Sequence, residues 1–378
     1  MYIWQRPKWP VFHWDAKVLT SILPEAARQQ GRLLGWMESL GFDLRTEANL
    51  RTLTEDVVKS SEIEGENLDS KQVRSSIARR LGMDVGGLVP ADQAVDGIVE
   101  LMLDATGNFS VPLTEERLFG WHAALFPTGR SGMHRIVVGQ WRDDSEGPMQ
   151  VVSGPIGKRQ IHYEAPPAKR VPAEMDKFME WFNAPDNLEP QLAASLAHLW
   201  FVTIHPFDDG NGRIARALAD MVLARSEKTG QRFYSMSTQI RRERSDYYNI
   251  LEATQKGTLD ITHWQTWSIG CFLRAIEGAH GTLENVIKKA RFWKRFERQP
   301  LSRRQIEILN LLLDNFEGKL TTSKWAKLAK CSQDTAHRDI QALIDRGVLK
   351  KDPGGGRSTS YSLILSDVPG SNQESKAG

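Results

Sequence analysis

The stretch His205-Pro206-Phe207-Asp208-Asp209-Gly210-Asn211-Gly212-Arg213-Ile214-Ala215-Arg216 lies between two helical patterns and gathers more chemically committed side chains than any run of similar length in the chain. Upstream, Gln191 to Ile204 sets Leu192, Leu196, Leu199, Trp200 and Thr203 at helical spacing. That helix must stop at His205, because a residue before proline is pushed out of the α region. Downstream, Ile214 to Arg225 reads as helix again. The segment is therefore a short loop delivered by one helix and received by the next.

Gly210-Asn211-Gly212 lets successive backbone N–H groups face one concavity at a helix start, where the dipole is positive, which makes an anion nest. Arg213 and Arg216 share a face of the following helix and suit successive phosphates, and Asp209 is a hard oxygen ligand for Mg²⁺ between them. A metal-bound polyphosphate is the natural guest. His205 stands at the mouth, close to neutral at working pH, to take a proton from an incoming hydroxyl. Any one of these residues alone reads as an ordinary turn with a solvated Asp and surface arginines; their coincidence on consecutive positions favours the site.

The run resembles the Fic-domain signature, His-Pro-Phe-x-Asp/Glu-Gly-Asn-Gly-Arg-x-x-Arg, at every specified position. The resemblance implies that His205 is the general base and Asp209 the Mg²⁺ ligand. It implies an ATP site over Phe207, Asp208, Asp209, Gly210, Asn211, Gly212, Arg213 and Arg216, with Phe207 also a core anchor. It implies the fold too, a mainly α helical bundle with a β-hairpin flap. Most Fic proteins move AMP from ATP to a Ser, Thr or Tyr hydroxyl of a target protein, and that is the activity expected here.

The chain has 378 residues, enough for two or three domains, and a formal net charge of +2, so no global field commits it to nucleic acid. Its two cysteines, Cys271 and Cys331, have no paired spacing, which argues against a disulfide framework or a zinc site. The opening Met1-Tyr2-Ile3-Trp4-Gln5-Arg6-Pro7 lacks a signal-peptide core and no apolar run reaches membrane-spanning length, so a soluble cytoplasmic protein is expected. There is no P-loop run and no His-Glu-x-x-His, which disfavours a P-loop kinase and a zinc hydrolase.

Trp4, Trp9, Phe12 and Trp14 are expected to pack the N-terminus on a helical body, and Leu19 to Leu40 to form one long helix. Thr46 or Thr52 would cap a helix that ends at Glu64-Gly65. Ser60 and Glu64 share a face of it. Ser60-x-x-x-Glu64-Gly65 resembles the inhibitory motif of the same family, Ser/Thr-x-x-x-Glu-Gly/Asn. That resemblance makes residues 52–65 an inhibitory helix whose Glu64 pairs with Arg216 and fills the place of the γ-phosphate.

Helices are expected over Ala91 to Ala105 and Leu113 to Leu125, with His122 on the packed face. Residues 147–165 read as a hairpin, Met149 to Val152 and Arg159 to Tyr163 across a Gly154-Pro155 turn. In the family such a flap holds the target by strand addition, so Ile161, His162 and Tyr163 would dock the target protein. Gln239 to Thr254 reads as one helix; Tyr247 and Gln255 align with nucleotide-binding positions of relatives, against the plainer reading of a core tyrosine.

Residues 281–302 are dense in Lys and Arg and read as a basic linker, either a solvated helical face or a phosphate-contacting arm. Helices over Arg304 to Leu313, Thr322 to Ala329 and Gln333 to Asp345, then strand, Gly354-Gly355-Gly356-Arg357 tip and strand, resemble a winged helix-turn-helix. Its third helix would offer Ser332, Gln333, Asp334, Thr335, His337 and Arg338 to DNA, although winged helices also dock proteins. Beyond residue 366 a disordered tail is expected. The expected plan is thus 1–105 an N-terminal helical region, 106–280 the catalytic core, 281–302 the linker and 303–365 the winged helix. The expected function is a protein adenylyltransferase using Mg²⁺ and ATP on a target protein and on itself, with a homodimer compatible. The alternatives are an enzyme that also removes AMP, and a DNA-binding regulator that senses nucleotide through residues 303–365.

Overall fold

A computed structural model describes residues 1–83, 88–145, 147–154, 158–184, 188–296, 301–313, 316, 318–353 and 359–364. The hairpin turn at 155–157, Pro185, Arg298, the glycine tip 354–357 and the tail 366–378 lie outside the described residues. The chain forms two compact units, Met1–Leu283 and Glu284–Gly378.

In the first unit a turn at Ile3–Gln5 precedes α1 (Ala16–Leu19) and α2 (Ile22–Glu38). These replace the single helix expected over Leu19 to Leu40. Pro24 has no N–H to donate one turn back, so the helix restarts with Pro24 in its first turn, where no donor is needed. The tryptophans seal the terminus: Trp4 Nε1 donates to Glu164 O at 2.8 Å, Trp9 Nε1 to Glu174 Oε2 at 2.9 Å, and Trp9 and Phe12 pack edge-on against Trp200.

α3 (Phe42–Ile63) starts well before the expected caps. Thr46 and Thr54 donate to the carbonyls of Phe42 and Leu50 from inside the helix, and Thr52 is buried, so Gly41 holds the N-cap position. α4 (Ser70–Arg80), α5 (Gln93–Gly107) and α6 (Glu115–Leu125) follow, each opened by a side-chain cap from Asp69, Asp92 or Thr114. Two small hairpins come next, β1 (Arg130–Ser131) with β2 (His134–Arg135), and β3 (Gln150–Ser153) with β4 (Gln160–Glu164). Then come α7 (Val171–Asn183), α8 (Pro190–Ile204), α9 (Asn211–Glu227), α10 (Met236–Arg242), α11 (Arg244–Gln255) and α12 (Thr262–Phe296), of which the residues up to Leu283 belong to this unit. The helix expected over Gln239 to Thr254 is divided at Glu243, whose carboxylate is gripped by Arg274 at 2.5 and 2.7 Å.

α8 is buried from Gln191 to Ile204 and packs along α9, whose Ile214, Ala215, Ala217, Leu218 and Met221 are fully buried. Leu50, Leu53 and Val57 of α3 join the same cluster as residues of α4 to α9, so residues 1–105 and 106–280 share one core. α5 and α6 touch at Gly97, where a Cβ would stand 1.8 Å from Ala124 O.

The second unit holds α13 (Arg303–Leu313), β5 (Leu320–Thr321), α14 (Thr322–Leu328), α15 (Gln333–Asp345), β6 (Leu349–Lys351) and β7 (Ser360–Leu363). β7 is the central strand of an antiparallel sheet ordered β5-β7-β6. Its core gathers Ile308, Leu309, Trp325, Ile340 and Leu343. The two arginines that follow the basic linker are spent on intrachain pairs: Arg304 forks onto Asp339 at 2.6 and 3.1 Å and Arg303 meets Glu307 at 3.1 Å. Among the described residues no helix is long and apolar enough to cross a membrane.

Candidate active site

α8 ends at His205, the C-cap, with φ 52° and ψ 59°. Pro206 forbids a further α residue there, and the left-handed turn swings the imidazole out of the helix line. Arg142, buried and unremarked in the sequence, holds this turn: its Nε donates to His205 O at 2.7 Å, its Nη2 to Pro166 O at 2.5 Å, and its backbone N to Pro206 O at 3.0 Å. His205 Nδ1 lies 3.2 Å from Val202 O. A carbonyl can only accept, so Nδ1 carries the hydrogen and the lone pair is left on Nε2. Burial pushes the His205 pKa down to about 4, with Arg142 adding to the effect and the Val202 carbonyl, Asp209 and Glu64 opposing it. The ring is neutral at pH 7 and able to accept a proton.

Phe207 is fully buried and stacks on His122, ring centroids 4.2 Å apart and 7° from parallel. His122 thus belongs to the packing, and burial pushes its pKa down to about 4. Asn211 closes the loop by a two-way exchange with Phe207, accepting from its N at 3.1 Å and donating to its O at 2.8 Å. Gly210 takes φ +81°, and a Cβ there would meet Phe126 Cε2 at 2.9 Å, so both conformation and space demand glycine. Asp208 accepts from Val137 N at 2.8 Å. Asp209 accepts from Gly210 N at 2.5 Å and from the Ser131 hydroxyl.

α9 carries both arginines inward. The Arg216 side chain is almost fully buried; its Nε donates to Ser60 Oγ at 2.9 Å, and its Nη2 donates to Ser60 O at 2.9 Å and to Glu64 Oε1 at 2.8 Å. Arg213 Nη1 donates to Glu66 Oε2 at 2.7 Å, and its guanidinium lies 5.0 Å over the Phe126 ring. Arg216 Nη1 and Arg213 Nε are buried with no hydrogen-bond partner among the described residues. Two guanidinium donors left open beside a helix N-terminus are what an anion would satisfy. Glu64 is the C-cap of α3, and its Oε1 stands where a Cβ on Gly212 would be, 2.2 Å away. Ser60, Glu64, Gly65, Arg213, Arg216 and the loop 205–212 therefore meet in one place.

The other expected site residues lie differently. Tyr163 is buried, with its hydroxyl donating to Thr203 O at 2.6 Å, so its side chain anchors the hairpin and does not face a docking peptide. Val151 pairs with Tyr163 and Val152 with Ile161, which leaves His162 in a bulge. The bulge turns His162 toward α11, where Nδ1 meets Glu252 Oε2 at 2.7 Å and Nε2 meets Ser153 Oγ at 2.6 Å. Ile161 is 43% exposed and remains on the open edge. Tyr247 and Gln255 are buried against α8: Tyr247 Oη is 3.0 Å from His198 Nε2 and close enough to Arg216 and Glu64 to feel both charges, and Gln255 Nε2 donates to Val202 O and Thr203 Oγ1 at 3.4 Å. They buttress the helix that delivers His205.

The donor set around Asp209 suits Mg²⁺ held by one carboxylate, waters and substrate phosphates better than an all-protein cage. Its side chain is 41% exposed, and no cluster of three or more His, Cys, Asp or Glu capable of holding a metal occurs among the described residues.

Comparison with known proteins agrees with this geometry. The family described as Fic/DOC matches residues 112–223, and a domain of unknown function (DUF4172) matches residues 2–83. A protein named protein adenylyltransferase Fic from Drosophila grimshawi is 36% identical over 109 residues, covering 24% of this chain and 21% of its own length. Its namesake from Drosophila willistoni is 33% identical over 109 residues, with the same two coverages. The chain thus spans about a fifth of the length of the curated relatives it matches. Among solved structures, a Fic family protein from Desulfovibrio desulfuricans G20 aligns over 92% of this chain and 97% of its own, with TM-score 0.51 and 21% identity. A Fic domain containing signaling protein from Bacteroides thetaiotaomicron aligns over 70% of this chain and 97% of its own at the same TM-score and identity. At that identity the likeness speaks for the fold. With the signature loop, its buried arginines and the matched residues 112–223, this chain carries a Fic/DOC-family domain.

Proposed function

We propose that this protein transfers AMP from ATP to a hydroxyl of a target protein, and that the structure holds it in the inhibited state. The observation that carries the reading is Glu64 Oε1 seated over Gly212 and bonded to the buried Arg216 at 2.8 Å, in the space a phosphate oxygen would take. With Glu64 withdrawn, the N-terminus of α9, Arg213 and Arg216 receive the polyphosphate. The target oxygen attacks the α-phosphorus, the bond from phosphorus to the pyrophosphate bridge breaks, and His205 Nε2 takes the hydroxyl proton. Asp209 would hold Mg²⁺, which supplies charge neutralisation to the phosphates when bound. Catalysis then rests on positioning and electrostatics, with no covalent enzyme intermediate.

The target reaches His205 along the open edge of β4, where main-chain bonds bind an extended segment regardless of its sequence. For the second unit, the winged-helix reading is supported by an exposed row on α15, Ser332, Gln333, Asp334, His337 and Arg338, which suits duplex DNA. Fluorescence anisotropy of a labelled duplex with and without residues 303–365 tests it.

The function is tested by incorporation of α-labelled ATP with Mg²⁺ into the protein itself, in wild type, Glu64→Gly and Glu64→Gly/His205→Ala. Labelling by the single variant that vanishes in the double variant supports transferase, brake and base together. A Glu64→Gly protein that binds ATP but labels neither itself nor a lysate overturns the transfer reaction and favours a nucleotide-sensing regulator.

A further inference from the structure

We infer that Glu66 is a second brake, holding Arg213 as Glu64 holds Arg216, so that one turn of chain occupies both arms of the phosphate clamp. The inference rests on the functional reading above, because it assigns regulation to the same site. Glu66 Oε2 lies 2.7 Å from Arg213 Nη1, and Arg213 is 5% exposed while Glu66 is 45% exposed. The arginine is thus the fixed partner and the glutamate the movable one. Stacking on Phe126 at 5.0 Å sets the plane of the guanidinium, so its Nη1 edge is the direction from which an oxyanion must come. Glu66 fills that edge.

The two carboxylates are carried by a single rigid tab. Glu64 N donates to Ser61 O at 3.0 Å, Gly65 N to Glu62 O at 3.2 Å and Glu66 N to Ser61 O at 3.0 Å. Gly65 at φ +87° makes the turn that points residues 64 and 66 toward successive arginines on α9. The arginines are three residues apart on one helical face, and the glutamates are two apart across a tight turn, so the spacings match. Arg213 Nε stays without a partner among the described residues even with Glu66 in place. A carboxylate on one edge therefore leaves the fork half used, whereas a phosphate with three oxygens would use more of it. Removing Glu66 should ease ATP binding without touching the groups that perform the transfer.

The experiment is a calorimetric titration of Mg·ATP into wild type, Glu66→Gln, Glu64→Gly and the double variant, with Arg213→Ala and Arg213→Ala/Glu66→Gln alongside. A partly exposed ion pair and the repulsion of one carboxylate from the triphosphate together set the scale. Glu66→Gln is expected to tighten Mg·ATP by about threefold to tenfold in the wild-type background, and the gain should disappear when Arg213 is already alanine. Unchanged ATP affinity in Glu66→Gln, alongside tighter binding in Glu64→Gly, overturns the second brake and leaves the functional reading standing. Weaker binding in Glu66→Gln overturns it too, since Glu66 would then position Arg213 for ATP. Failure of every variant, Glu64→Gly included, to bind Mg·ATP overturns the functional reading and the inference with it.

Discussion

Gly212→Ala tests whether Glu64 and a phosphate oxygen compete for the same space. Gly212 sits in the first turn of α9 with an ordinary helical backbone, so alanine fits the chain and favours the helix by about 0.5–1 kcal/mol. Its Cβ would nevertheless lie 2.2 Å from Glu64 Oε1 and 3.2 Å from Arg216 Nη1. Ordinary contact begins near 3.4 Å, so the carboxylate must retreat by roughly 1 Å, and its 2.8 Å bond to Arg216 is lost or badly stretched. A hydrogen bond between charged groups contributes about 1.5–3 kcal/mol, which outweighs the helix gain and leaves a net loss of ~1 kcal/mol. For a unit of this size that is a fall of roughly 2 °C in Tm.

Activity separates the possibilities. If the carboxylate and the phosphate share the space over Gly212, the methyl expels both: Gly212→Ala loses the inhibitory pair yet fails to bind ATP, and Glu64→Gly/Gly212→Ala is also silent. Differential scanning fluorimetry, ATP titration and α-label incorporation on the same preparations measure the three quantities. Self-labelling by Gly212→Ala at the level of Glu64→Gly would refute the shared-space argument, because the brake would then act through Arg216 alone.

His205 should remain an unprotonated base far below the usual histidine range. Label incorporation by Glu64→Gly is expected to stay flat from pH 8 to 6 and to fall only as pH approaches about 4; an inflection near 6.5 would contradict the buried, Val202-oriented ring. A second titration concerns stability. Burial, then the neighbouring Asp56, pushes Asp220 up to about 7, while Arg232 and Glu227 complete the cluster. Its folded pKa is above the unfolded value, so the native state binds the extra proton and loses stability as pH rises. The depressed histidines His122, His198 and His205 act the other way in the same window, because each is neutral in the fold while its unfolded imidazole is still half protonated at pH 6.5. The cluster is therefore read by difference: its own contribution should drop by ~1 kcal/mol between pH 6.5 and 8, so Asp56→Asn should gain stability relative to wild type as pH rises through that window, and parallel pH curves for the two proteins would clear the cluster. Tyr163→Phe removes the buried bond to Thr203 O and is expected to cost about 1–2 kcal/mol in urea unfolding, with lowered labelling of a protein target and unaltered ATP affinity. Equal loss of ATP affinity would show that the hairpin anchor supports the nucleotide side as well.

The sequence revealed what short-range chemistry encodes. The signature residues are consecutive, and each has a chemical requirement that only a few side chains meet, so their common location was legible before any coordinates. The second unit was legible for a related reason: its helices alternate with turns of recognisable chemistry and their boundaries differ by a residue or so. What escaped was set at long range. Arg142 meets the loop from 63 residues away in sequence and Ser131 meets Asp209 from 78, with no periodicity to announce either. Glu66 stands just past a helix end, outside any motif the sequence displays. Thr46 and Thr52 looked like caps because the sequence does not say that the helix already begins at Phe42 and runs through both. Two-residue β5 is too short to show any alternation. Tyr163 misled in the other direction: alternation placed it on a strand, but tertiary packing chose which face was inside.

Under the proposed function, one physical constraint joins stability to inhibition in this site. Arg213 and Arg216 are side chains of 5% and 1% exposure, held charged among fully buried residues of α9. A buried charge without a counter-ion costs several kcal/mol, so the empty site must supply anions of its own. Glu64 and Glu66 do so from a turn that is partly open to solvent. The substrate brings the same kind of charge in a better geometry, with more oxygens for the donors still open on both guanidinium groups. Under the proposed function, the tab therefore stabilises the resting fold by the same contacts that would exclude ATP. Weakening it must lower the stability of the empty protein while raising the stabilisation that bound nucleotide confers, and neither effect can be engineered away without the other.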